Sequence, residues 1–206
     1  FAHLATFGAS LGDLRRQLDA DLARPGFDHT KMIALVLALM DLTLIRVGND
    51  EYARTNGSYG LTTLRRRHVH LGGTGVALRF QGKGGVRHQV TIDDRRLARL
   101  VRRCHQLGGR ELFGFVDHDG VEHRVDSADA NDYLRRHAGD VHTVKTFRTW
   151  GASAIVVNEL AALDAAPTAA VLNAAIDAAA ARLGNTRAVA RSSYVHPEVG
   201  TWATDG

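Results

Sequence analysis

The residues of this chain best suited to chemistry are one tyrosine and a scattered set of basic side chains. Of the 26 Lys and Arg, only three are lysine, Lys31, Lys83 and Lys145. A basic set that ends in a tyrosine, Tyr194, has the parts for phosphodiester transfer. That reaction needs a nucleophile, donors around the phosphoryl oxygens, and a proton donor for the leaving oxygen. Arginine suits the clamp because its planar, permanently charged fork grips two phosphate oxygens together. Lysine suits the acid because neighbouring cations push its pKa toward neutrality. Singly, the same residues read blandly: Arg148 as a surface charge on an amphipathic helix, Lys83 as a hairpin tip, Tyr194 as a packing residue.

Other chemistries find less support. Gly82-Lys83 is not a Walker loop, because Ala77 stands where the first glycine belongs and Gly84 replaces the required Ser or Thr. His118, Asp119, Glu122 and His123 fall on a polar turn and read as solvated rather than as metal ligands. The pair His68-x-His70 alternates along a strand and is expected to share one face in a structural or surface role. No Gly-x-Ser-x-Gly elbow is present. The single cysteine, Cys104, excludes an intramolecular disulfide framework and a multi-cysteine zinc site.

These residues need elements to position them. The chain has 206 residues, 45% apolar and 23% charged, an ordinary globular balance with room for a sizeable core. The net charge of +4 permits a polyanionic partner without demanding one. The longest apolar run, Met32–Met40, is nine residues, against about 20 to span a bilayer, so no membrane anchor is expected. The chain starts at Phe1 and enters a helical pattern at once, and reads as a fragment lacking its natural N-terminal part. The cytoplasm is the expected compartment.

Leucines 11, 14, 18 and 22 predict a helix over about 4–23, ended by Pro25-Gly26. A second helix, about 28–44, is apolar on most faces and is expected to be central. An irregular stretch at 46–50 leads to Tyr52 and a turn-rich segment. Strands are expected at 68–71, 76–80 and 86–92, joined by glycine turns into a three-stranded antiparallel sheet. Asp93 or Asp94 caps a following helix whose arginines, at 95, 96, 99, 102 and 103, suit either a solvated face or a nucleic-acid contact. Helices are then expected at 126–136, 146–163 and 167–182, and a short one from about 188 that carries Tyr194. The fold class is α+β, mainly α-helical, in one domain over 1–206.

Five segments, in order, carry a resemblance. They are Leu44-Ile-Arg46-Val-Gly-Asn49-x-x-Tyr52; Tyr59-Gly-Leu-Thr-Thr-Leu64 followed by His68-Val69; Phe80-Gln-Gly-Lys83-Gly-Gly; Lys145-Thr-Phe-Arg148-Thr-Trp; and Leu183-Gly-Asn185-Thr, with Tyr194 nine residues after Asn185. Over nearly its whole length the chain resembles the catalytic domain of type IB DNA topoisomerases of the small bacterial and poxvirus-like kind. The resemblance implies a tyrosine-recombinase-like core with a small three-stranded antiparallel sheet, and double-stranded DNA as partner. It also implies a monomer near the nucleoid, and no cofactor or metal.

The resemblance further implies that Tyr194 attacks the scissile phosphate to give a 3′-phosphotyrosine, while Arg46 and Arg148 hold the phosphoryl oxygens. Lys83 protonates the leaving 5′-oxygen. Asn185 stands where some members carry histidine, and donates a hydrogen bond without carrying charge. Lys145 becomes an auxiliary phosphate contact, and Tyr52 and Asn49 nearby DNA-backbone contacts. Two rivals share the pattern: a tyrosine recombinase or integrase, and a noncatalytic DNA-binding module of the same fold. Recombinases usually place histidine three residues before the second arginine, where this chain has Lys145.

Overall fold

The structure, a computed structural model, describes residues 1–73, 75–163 and 168–205. Helix α1 (Leu4–Leu22) buries Leu4, Phe7, Leu11, Leu14, Leu18 and Leu22 along one stripe. Helix α2 (His29–Thr43) starts at Asp28, whose carboxylate accepts from the Lys31 amide at 2.8 Å, and is buried on nearly every face. Its last turn closes on Leu44, a non-glycine residue in the left-handed region at φ 57°. That turn swings the chain out of the core and delivers Arg46. The expected irregular stretch holds from Arg46 to Asn49, and beyond it a short helix α3 (Asp50–Thr55) forms, because Asn49 caps it by accepting from the Tyr52 amide at 3.1 Å.

The sheet follows as β1 (Val69–Gly72), β2 (Gly75–Gln81) and β3 (Arg87–Ile92), antiparallel in that order. Its register pairs Leu78 with Val90 and Phe80 with His88 on the core face, and Arg79 with Gln89 on the outer face. His68 and His70 do not share a face. A 3-10 turn over Arg66–His68 precedes β1, so His68 is buried while His70 faces outward. The arginine-rich helix α4 (Arg95–Gln106) is capped by Asp94. Much of its charge is spent inside the chain: Arg96 binds Asp19 at 2.7 Å, Arg102 donates to the Gly73 and Gly75 carbonyls, and Arg103 lies over Phe27.

A second hairpin, β4 (Gly114–Val116) with β5 (Glu122–Arg124), was not expected from the sequence. Helices α5 (Ser127–Ala138), α6 (Val144–Ala161), α7 (Ala169–Leu183), α8 (Arg187–Ser193) and α9 (Pro197–Asp205) complete the order. The expected start of α7 at Pro167 lies outside the described residues. Tyr194 is not carried within the short helix; it follows α8 as its closing residue, its amide donating to the Ala190 carbonyl at 3.0 Å.

Two hydrophobic clusters result. The larger joins α1, α2, the sheet, α4 and α5. The smaller joins Leu44 to α6, α7, α8, Tyr194 and Val195. The alanine-rich composition of α7 serves this packing: Ala175, Ala179 and Ala180 are buried and let α7 lie close on α6. The fold is mainly helical with a small three-stranded antiparallel sheet. Among the described residues no helix is long and apolar enough to cross a membrane.

Candidate active site

The residues singled out in the sequence meet at the seam between the two clusters. Arg46, Lys83, Arg148 and Tyr194 line one cavity of about 420 Å³, as do Lys145, Tyr52 and Asn49. Different elements supply them. Arg46 leaves the α2 end in a backbone fixed by Leu61, whose amide donates to the Arg46 carbonyl at 2.9 Å. Lys83 rides the exposed β2–β3 turn, which the Gly82 amide closes by donating to the Val86 carbonyl at 2.7 Å. Lys145 and Arg148 lie one turn apart near the start of α6. Asn185 follows the glycine cap of α7 and does not line the cavity, but its side-chain oxygen accepts from the Arg46 guanidinium at 2.8 Å.

Arg148 is 3% exposed. Its guanidinium donates to the Leu44 carbonyl and, at 3.1 Å, to the Leu183 carbonyl, so it ties the ends of α2 and α7 together. It also lies over the Tyr194 ring, 4.9 Å from the centroid, with the Lys145 ammonium 5.8 Å from the same ring. Two buried donors keep capacity unspent: among the described residues, Arg148 Nε and Asn185 Nδ2 have no hydrogen-bond partner. The Asn185 orientation is fixed by chemistry, since arginine only donates and must face Oδ1. Its Nδ2 is therefore the free end.

Electrostatics bear directly on the phenol. Burial alone would push the Tyr194 pKa up, but Arg148 and Arg46, through charge and hydrogen bonding, outweigh it and bring it below the ordinary value. Burial pushes the Arg148 guanidinium down to about 10, with Arg46 adding to the effect and Tyr194 opposing it. Arg148 thus stays charged at neutral pH. Chemically, two guanidiniums and an amide side by side can hold an anionic, multi-oxygen group, and the Tyr194 phenol lies against one of those guanidiniums.

Residues 1–200 match the family described as eukaryotic DNA topoisomerase I, catalytic core. The chain belongs to this family. It is 33% identical over 164 residues to the DNA topoisomerase 1B of Acanthamoeba polyphaga mimivirus, covering 78% of this chain and 49% of that protein. Its similarity to the monkeypox virus DNA topoisomerase I and to the vaccinia virus (strain Copenhagen) DNA topoisomerase 1B is 23% identity over 75 residues. That match covers 36% of this chain and 24% of each viral protein. The chain spans about half the length of its mimivirus relative.

In this topoisomerase-family core two further residues adjoin the site without having been singled out. Tyr59 lines the cavity, and its ring lies against His68 with Arg65 and Arg67 on it. His88 stacks on Phe80 at the edge of the site, and burial together with Arg46 and Arg148 lowers its pKa. The charge along the chain is also uneven around the site. Seven of the 26 Lys and Arg, and none of the 22 Asp and Glu, fall in residues 52–92. Elsewhere, His123 pairs with Asp117 at 2.5 Å and His118 with Asp119 at 3.3 Å on the β4–β5 hairpin. Among the described residues, no group of three or more His, Cys, Asp or Glu could hold a metal ion.

Proposed function

We propose that this chain is the strand-breaking and rejoining domain of a type IB DNA topoisomerase, with a tyrosine-recombinase-like core, acting as a monomer on double-stranded DNA at the nucleoid. The observation that carries this reading is the convergence of Arg46, Lys83, Arg148 and Tyr194 on one cavity, with the phenol acidified by both guanidiniums.

In this reading the Tyr194 oxygen attacks the scissile phosphorus. The bond from phosphorus to the tyrosine oxygen forms, the bond to the 5′-oxygen breaks, and the phenolic proton passes to water. Lys83 gives its proton to the departing 5′-oxygen. Arg46, Arg148 and the free Nδ2 of Asn185 stabilise the charge that builds on the non-bridging oxygens. Asn185 also holds Arg46 in place through its own oxygen. Lys145, Tyr52 and Asn49 contact the DNA backbone at the rim. The covalent bond keeps the phosphodiester's energy, so the reverse attack by the 5′-hydroxyl reseals the strand without ATP. Between the two steps the broken strand swivels about the intact one.

The test is relaxation of supercoiled plasmid in EDTA without ATP, with Tyr194→Phe in parallel. Wild-type protein is expected to relax the plasmid and to form a covalent protein–DNA adduct, and the variant to do neither while folding normally. DNA binding with neither relaxation nor adduct would leave only the noncatalytic reading. Recombination of two sites without relaxation would favour the recombinase.

A further inference from the structure

His88 lies on the core face of β3, paired across the ladder with Phe80. The two rings stack with centroids 4.9 Å apart and planes within 10°. Around its edge the imidazole meets two glycines from opposite parts of the molecule. A Cβ on Gly82 would fall 2.6 Å from the imidazole Cδ2 and Nε2, and one on Gly184 would fall 2.3 Å from Cε1. Both distances are far inside van der Waals contact, so the ring fills the space between the two backbones. Gly82 immediately precedes Lys83, and Gly184 immediately precedes Asn185.

The placement matters because the lysine and the nucleophile belong to different packing units. The sheet belongs to the larger cluster, and Leu183, Ala190 and Tyr194 to the smaller. The tip of the Lys83 turn is exposed, so its own packing does little to fix its distance from Tyr194. We infer that His88 is a positioning residue that joins the Lys83 turn to the Asn185 turn, its ring acting as a flat spacer between sheet and helical site. The stacking partner Phe80 fixes the plane of the ring, and the two glycines supply the walls. Burial beside two guanidiniums keeps the ring neutral near pH 7, as a spacer among cations requires.

The inference rests on the topoisomerase reading, and its test separates the two. Single-turnover adduct formation is measured on two duplexes, one with the natural 5′-oxygen at the scissile phosphate and one with sulfur in its place. A thiolate leaves without being protonated, so the sulfur substrate does not need Lys83. His88→Ala is expected to slow the oxygen substrate by about 10²-fold, the lower end of what loss of a general acid costs. It should leave the sulfur substrate within about threefold of wild type, the pattern also expected of Lys83→Ala. Gly82 has φ −96° and ψ −169°, a backbone any residue adopts, so only His88 obstructs an alanine there. Gly82→Ala should therefore cost about tenfold in wild type and less than about twofold in the His88→Ala background.

Equal losses on both leaving groups, or no loss on either, would overturn the inference. So would additive Gly82 and His88 effects. Should His88→Ala fail to fold, His88→Leu, which fills the volume without a flat ring, carries the same comparison. A wild-type protein that forms no adduct on either substrate overturns the topoisomerase reading itself, a separate result.

Discussion

Arg148 donates to the carbonyls of Leu44 and Leu183, which close two helices, while its face lies over the Tyr194 ring. A lysine has one point charge and no fork, so Arg148→Lys cannot hold both carbonyls and the phenol together. Adduct formation should fall at least 10²-fold, about the cost of one preorganised donor, and urea unfolding should show a destabilised protein. Asn185→Asp tests a different property. The new carboxylate would pair with Arg46 and withdraw it from the phosphate, so cleavage should fall further than in Asn185→Ala, measured in single turnover. A third residue, His68, contributes to acid sensitivity. Burial, reinforced by Arg67, Arg65 and His70, pushes the His68 pKa from 6.5 down to about 4. The unfolded chain therefore takes up a proton that the folded chain refuses between those values. His68's contribution to stability is complete above 6.5 and is lost as the pH falls toward about 4. His68→Gln should flatten that decline in thermal unfolding.

At the scale of elements, Gly184 ends α7 in the left-handed region at φ 63°, with its amide directed back to the Ala181 carbonyl. Gly184→Ala adds backbone strain and a methyl against His88, and should cost about 1–2 kcal/mol in urea unfolding. The long elements were legible because their burial is periodic: the leucines of α1 repeat every three or four residues, and strands β2 and β3 alternate between core and solvent. What was hidden lacked that periodicity. Strands β4 and β5 have three residues each and none of the six is buried, so no pattern betrays them. His68 was misplaced because a 3-10 turn delays the start of β1 past it. That Arg46, Lys83, Arg148 and Tyr194 line one cavity could be anticipated from their order along the chain. His88 could not, because its role comes from two glycine backbones that only the fold brings beside it.

Across the whole molecule the charge is divided unevenly. Residues 52–92 carry seven Lys and Arg without a single acid, so the other residues sum to −3 within a net +4. Some of these arginines are occupied internally: Arg66 donates to the carbonyls of Cys104 and His105 at the end of α4, and Arg67 to the Tyr59 hydroxyl. Arg79 and Arg87 are exposed, Arg79 on the outer sheet face beside Gln89. If DNA lies along that face, each neutralised phosphate releases counterions. Arg79→Gln and Arg87→Gln should each reduce the slope of log affinity against log salt by about 1, without changing the chemistry step. A slope unaffected by both would put the duplex elsewhere. Tyr194, by contrast, sits in the smaller cluster, its own carbonyl accepting from the Ser153 hydroxyl of α6 at 3.3 Å. Under the proposed chemistry this makes Tyr194 an anchor rather than a tether. In that reading a strand bonded to Tyr194, with the duplex beyond the break free to turn, would pull on the packed bodies of α6 and α7. The torque of unwinding is then resisted by side-chain interlock rather than by a slack tail.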